Sequence, residues 1–269
     1  MKMVKKILLG LAVLAATMVV TGCMKNDDEK GAIKGSGNKY TVSYTNDTTE
    51  AYRAYKVTKL KHAGALVKVT FNAKDMKTSK FGLMFDVQDA VSGVKDADGK
   101  KARDFYIIGY GMEGGGNYYL SRYTNIVDIQ ATNFGASTTA TGNEAKEVEF
   151  VKYTSAGNIT FPQEGDTVTF YAYYTSAPGG LYTCALLNLT DEEAAAYDKT
   201  TGEMPASWTS KILKDKKGSP VIAVLGSVDA TITNFPQNYI GFYTQVAPGA
   251  TVSGTYNVIG TFKEAEDEE

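Results

Sequence analysis

The stretch GALVKVTFNAKDMKTSKFGLMFDV, residues 64–87, decides the fold class of this chain. Ala65, Val67, Val69 and Phe71 recur at every second position, and Phe81, Leu83, Phe85 and Val87 repeat the pattern after a polar connection. A strand turns successive side chains to opposite faces, so period two marks an element with one face in a core. Working outward, Tyr40, Val42 and Tyr44 show the same alternation. Further strands are expected over 104–110, 117–124, 147–153, 166–175, 181–189, 220–225, 239–246 and 255–262. Turn-forming clusters separate many of them, at 96–99, 113–117, 177–180 and 247–250. Many strands with turn signals between them predict an all-β antiparallel sandwich or barrel. One helix stands out: Thr190 and Glu193 form a capping-box pattern ahead of the alanine-rich segment 191–198.

The N-terminus reads differently. Lys2, Lys5 and Lys6 precede an apolar run of fourteen residues, Ile7 to Val20. A membrane-spanning helix needs about 20 such residues, whereas this length suits the apolar region of a secretory signal. Val20, Thr21, Gly22 and Cys23 resemble the lipobox of bacterial lipoproteins. That resemblance implies cleavage before Cys23 and lipid (palmitate and diacylglyceryl) on its thiol. Two or three acyl chains hold a protein far better than one. The resulting divisions are a signal peptide at 1–22, a lipidated flexible tether at 23–38, a β-sandwich domain at 39–262 and an acidic tail at 263–269. Met24 is not the aspartate that retains some lipoproteins at the inner membrane, so an outer-membrane site in the bacterial cell envelope is the expectation.

Composition excludes several chemistries. Without residues 1–22 the chain keeps 25 basic against 30 acidic side chains, a net charge of −5. Nucleic acid is therefore not an expected partner, since its binding rests on clustered Lys and Arg. His62 is the one histidine, which rules out zinc sites built on several imidazoles and leaves a Ser-His-Asp triad without a motif. With Cys23 lipidated, Cys184 has no intramolecular disulfide partner and reads as a buried, inert thiol. No cofactor and no catalytic residues are expected.

Tyr239–Thr244, followed by Gly254–Phe262, resembles the closing strands of concanavalin-like jelly rolls, the lectin, glucanase and laminin-G superfamily. Asp104–Tyr110, a glycine turn and Asn117–Tyr123 look like a central hairpin of the same folds. The resemblance implies a jelly-roll sandwich over roughly residues 40–262 and transmits no function by itself. Retaining glucanases of that class carry Glu-x-Asp-x-Glu on one strand, with two carboxylates about 5–5.5 Å apart. Here Glu147 and Glu149 share a face, Val151 stands where the third acid belongs, and Glu144 is out of phase. A solvated strand face is the plainer reading. Laminin-G relatives often hold calcium, and Asp96 and Asp98 beside Gly99 could offer carboxylates to a structural ion; an ordinary hairpin turn is the favoured reading of them.

Eighteen tyrosines against one tryptophan remain as the clue to binding, since tyrosine joins an apolar face to a hydroxyl. If 104–110 and 117–123 pair, Tyr110, Asn117, Tyr119 and Tyr123 gather into a candidate ligand platform. Tyr171 and Tyr173 share a face further on, and Trp208 is either a loop anchor or a stacking residue. Three functions follow: a lipid-anchored, non-catalytic module for carbohydrate or a host or envelope protein; a structural envelope lipoprotein with a protein partner; and a glycoside hydrolase, which the incomplete carboxylate pattern opposes. Asp128–Phe134 and Asp229–Phe235 share the pattern D-x3-TNF, read as convergent turn chemistry.

Overall fold

A computed structural model describes residues 31–73, 76–95, 98–112, 116–129, 146–153, 167–215, 217–227, 229, 231 and 238–263; for Leu60 and 146–153 only the backbone is described. The signal sequence, Cys23, Asp96, Glu144 and the TNF segments of the repeated pattern lie outside these residues.

Two antiparallel sheets form a sandwich, one of the two architectures that the alternation predicts, and it has the jelly-roll form that the resemblance implies. The first runs in the order β1 (Ile33–Ser36), β2 (Lys39–Thr45), β13 (Thr251–Phe262), β4 (Gly64–Asn72), β9 (Thr167–Ala177), β10 (Leu181–Leu187) and β11 (Ile222–Gly226). The second runs β3 (Tyr52–His62), β12 (Asn238–Val246), β5 (Lys80–Asp89), β6 (Arg103–Gly111), β7 (Asn117–Ile126) and β8 (Lys146–Tyr153). The decisive stretch 64–87 supplies one central strand to each sheet, β4 and β5, so its two alternating runs face each other across the core.

That core is aromatic. Phe71 of β4 stacks on Phe81 of β5 at 4.8 Å between ring centres. Phe85 lies between Tyr106 and Tyr174, at 5.4 and 5.2 Å. Val42, Val67, Val69, Leu83, Ile108, Leu120 and Phe242 fill the space around them. Burying each such side chain contributes about 1.5–3 kcal/mol. Cys184 is buried here and free, and burial pushes its thiol up to about 12.

Among the buried charged side chains, Asp86 enters the space between the sheets. Asp86 has φ +53° where the pairing of β5 with β6 shifts register, and its carboxylate turns between the sheets. It accepts hydrogen bonds from Tyr182 Oη at 2.9 Å, Asn238 Nδ2 at 2.6 Å and Ser227 Oγ at 3.1 Å. A buried carboxylate is tolerated only with such partners. Burial, then the Asp86 charge, raises the Tyr182 hydroxyl well above the ordinary tyrosine value.

Between β10 and β11 the chain makes an excursion over the outer face of the seven-stranded sheet. Its helix, α1 (Asp191–Ala194), starts with the expected capping box: Glu193 N–H donates to Thr190 Oγ1 at 3.1 Å, and Thr190 N–H to Glu193 Oε2 at 2.8 Å. The helix is shorter than the expected 191–198 because the chain leaves it in turns that place Tyr197 under the excursion. A 3-10 turn at Ala206–Lys211 buries Trp208 against Tyr171, Tyr173 and Leu187, so Trp208 is a loop anchor. Asp191 accepts from Lys68 Nζ at 2.6 Å and from the Tyr171 hydroxyl, fastening α1 to the sheet.

Two strands were not legible beforehand. β1 lies within the stretch expected to be tether, with Ile33 buried against the core, so the ordered domain begins before residue 39. Four residues flanked by glycines are too few to show a period. β3 reads as a polar run because Lys56, Lys59 and Lys61 interrupt it, and such lysines suit the edge position it holds.

Candidate functional site

The six-stranded sheet has a second apolar face, turned away from the core. Strand parity and register place its side chains in cross-strand rows. At one end the row is polar: Arg53 of β3, Gln245 of β12, Lys80 of β5, Gly111 of β6 and Asn117 of β7. The next row holds Tyr55, Tyr243, Gly82, Gly109 and Tyr119. Behind it stand Val57, Gly241, Met84, Ile107 and Ser121, and beyond them Phe105 pairs with Tyr123.

The rows are tied together. Phe105 stacks on Tyr123 at 5.0 Å and lies 6.1 Å from Tyr55; Tyr123 is 6.3 Å from Tyr243. The Tyr243 hydroxyl donates to Gln245 Oε1 at 3.1 Å, joining the aromatic row to the polar one. Lys80 Nζ lies 5.3 Å from the centre of the Tyr119 ring and the Arg103 guanidinium 5.3 Å from that of Tyr55, both within cation–π range. The two glycines are needed for close approach. A Cβ at Gly82 would lie 2.7 Å from the Tyr119 hydroxyl, and one at Gly109 would lie 2.0 Å from the Phe81 carbonyl oxygen.

The four residues expected to form a platform divide between the two faces. Asn117, Tyr119 and Tyr123 do share this outer face. Tyr110 does not. It stands opposite Tyr118 and packs in the core 5.4 Å from Phe71, which removes it from any ligand platform. The hairpin forms as expected, but its register sets Tyr110 opposite Tyr118 and Gly109 opposite Tyr119, so alternation turns 110 and 119 to opposite faces. The rings of Tyr119 and Tyr123 are buried; Arg53, Lys80, Gln245 and Tyr239 are the half-exposed members of the face. Sequence reading missed Arg53, Gln245 and Lys80, whose alignment depends on pairings between strands far apart in the chain.

Glu147 and Glu149 lie on β8, the edge strand, opposite Tyr123 and Ser121 in register. The register shifts between Leu120 and Ser121, which on β8 falls between Glu149 and Val151, so the regular spacing holds from Glu147 to Glu149 and is interrupted before Val151. Tyr171 and Tyr173 share the other sheet's outer face beneath the excursion and are packed rather than presented. His62 ends β3 half-buried, its basicity lowered by burial and by Lys263. Of the turn expected at 96–99, Asp98 lies in a turn and Gly99 has φ +78°, while 96 and 97 lie outside the described residues.

The seven-stranded sheet is bare where the excursion does not reach. There Thr41, Thr255, Thr70 and Thr169 line up across four strands, and Ser43, Ser253, Asn72 and Thr167 form the next row. Thr70 and Thr169 share a hydrogen bond of 3.2 Å, and Thr45 and Thr251 one of 3.1 Å. These rows floor a shallow depression.

No family model and no curated protein matches the chain. Among solved structures it is similar to the Emp46p carbohydrate recognition domain, at 11% identity over 86% of each chain with a TM-score of 0.39. It is similar also to the VIP36 exoplasmic/lumenal domain bound to Ca2+ and Man3GlcNAc, at 10% identity over 88% of this chain and 84% of that one, TM-score 0.39. A third is the kappa-carrageenase of Pseudoalteromonas carrageenovora, at 5% identity over 86% and 82% of the chains, TM-score 0.38. Lectins and glycoside hydrolases thus both stand among its structural neighbours.

Proposed function

We propose that this chain is a lipid-anchored, non-catalytic binding module of the bacterial envelope, held by Cys23 and recognising carbohydrate on the outer face of the six-stranded sheet. The observation that carries the reading is the half-exposed row of hydrogen-bonding side chains at one end of that face, Arg53, Gln245 and Lys80. A sugar offers hydroxyls that both donate and accept to such a row. The half-exposed amide of Gln245 supplies donors and an acceptor, Arg53 and Lys80 supply charged donors, and the buried tyrosines of the next row hold these side chains in place from behind. The non-catalytic part rests on position. The outer-face residues of β12, β5, β6 and β7 named above include no carboxylate, and on β8, where Glu147 and Glu149 stand opposite Tyr123 and Ser121, Val151 occupies the place of the third acid. Attachment rests on the sequence of residues 20–23.

A glycan array probed with the chain from residue 24 onward tests the reading. The expected outcome is a defined set of bound glycans, with affinity reduced at least severalfold in Gln245→Ala and Lys80→Ala and folding unchanged. An empty array, or binding indifferent to both substitutions, would reject this face as the site. Release of reducing sugar that disappears in Glu147→Gln would replace the binding module by a hydrolase. Fatty-acid label incorporated by the expressed full chain and lost in Cys23→Ala tests the anchor.

A further inference from the structure

The sandwich manages three of its four sheet edges with charge. β1 carries Lys34 beside Lys39 of β2; β3 carries Arg53, Lys56, Lys59 and Lys61; β8 carries Lys146, Glu147, Glu149 and Lys152. Charged side chains keep an edge from pairing with another chain. β11 has none: from Ser219 to Ser227 the sequence is SPVIAVLGS, without an ionisable side chain. Pro220 precedes the strand and blocks only its entry.

The hydrogen bonds show which way this strand's backbone points. Val221 C=O accepts from Leu186 N–H at 3.0 Å, and Ser227 N–H donates to Gly180 C=O at 2.6 Å. Alternation then turns Val221, Ala223, Leu225 and Ser227 toward β10, and Ile222, Val224 and Gly226 toward the open side. Gly226 C=O is taken by the Tyr106 hydroxyl at 2.8 Å. The N–H and C=O of Ile222 and Val224 remain as an open pair of donors and acceptors, and no described strand pairs with them. On the same end of the sheet Val224 is 66% exposed and Leu181 44%.

We propose that two copies of this chain pair through β11, antiparallel about a two-fold axis at Ala223. In that register Ile222 of each copy faces Val224 of the other, and each such pair exchanges both of its N–H···O=C bonds. The second copy fits because the edge is self-complementary: it has no charge to repel its own image, and its half-buried Ile222 and exposed Val224 lie on one face and meet each other. The seven-stranded sheets then continue into one another. Five-residue strands bury far less than the roughly 1,200–2,000 Å² of a stable complex, so the association is reversible and depends on concentration. The inference stands apart from the glycan reading, which concerns the other sheet.

Sedimentation velocity on the chain from residue 24 onward tests it; that chain keeps every described strand, the first of which begins at Ile33. The mass should rise from monomer toward dimer with concentration, and Val224→Lys should abolish the rise while leaving the circular dichroism unchanged. In a Cys184→Ala background, Ala223→Cys should give a disulfide-linked dimer under mild oxidation. Two residues 223 facing each other form a non-hydrogen-bonded pair with Cα atoms about 4.5 Å apart, a span a disulfide accepts. Val224→Cys faces Ile222 in this register and should cross-link far less. A monomer at every concentration, a dimer that survives Val224→Lys, or equal cross-linking at 223 and 224 would each overturn the proposal. Should Val224→Lys fail to fold, the two cysteine variants decide.

Discussion

The two sheets present opposite chemistry to the outside. The six-stranded sheet turns out tyrosine, phenylalanine, methionine and isoleucine, in a second apolar layer that is itself buried. The seven-stranded sheet turns out threonine and serine over β2, β13, β4 and the start of β9, and there it is exposed. Where its outer face becomes aromatic, at Tyr171 and Tyr173, the excursion with α1 covers it. The same rule of alternation built both faces. Apolar outer positions were covered and hydroxylated ones left to water, because threonine satisfies both strand geometry and solvent.

The contrast should be steepest in stability. Phe105→Ala removes a buried ring stacked on Tyr123 and should cost about 3–5 kcal/mol in denaturant unfolding. A cost near zero would mean that the outer aromatic layer is not packed as a core.

A smaller effect is expected where the excursion is fastened down. The Lys68 ammonium, then the Tyr171 hydroxyl, holds the Asp191 carboxyl below its ordinary value of 3.8. A depressed carboxylate contributes stability that is fully present above the unfolded value and is lost as pH falls through the folded one. The melting temperature should therefore fall in this acid window more in the native chain than in Asp191→Asn. Parallel profiles would show that this contact does not secure α1. Glu193, lowered by Lys211 and by the Thr190 backbone, titrates the same way and belongs in both proteins as a common background.

The smallest change should come from the bare face. Thr70→Val keeps the strand shape, loses one exposed hydrogen bond to Thr169, and should shift stability by no more than about 0.5 kcal/mol. A loss of several kcal/mol would show that the hydroxylated rows hold the sheet together and are not a solvated surface.

Much of the fold was legible because period two is written locally. Residues 64–87 foretold β4 and β5, the hairpin of β6 and β7 was placed by its glycine turn, and the capping box at Thr190 and Glu193 marked the start of α1. β1 and β3 escaped, the first too short for a pattern and the second masked by the lysines of an edge. The candidate site was legible only in part. Asn117, Tyr119 and Tyr123 share a face, as one hairpin implies, while Tyr110 lies on the core side. Arg53, Gln245 and Lys80 come from three strands that no local pattern connects.

The sequence by itself determined that most of this chain is antiparallel β-structure, that Cys184 has no disulfide partner within the chain once Cys23 is lipidated, and that residues 1–23 resemble an exported lipoprotein's start. These follow from side-chain period, residue counts and a short contiguous motif. Only the tertiary structure decided which strands are neighbours, which of two apolar faces forms the core between the sheets, and which edge is left uncharged at β11. Those depend on pairing between residues separated by tens to hundreds of positions, and alternation fixes the two faces of a strand without saying what either will meet.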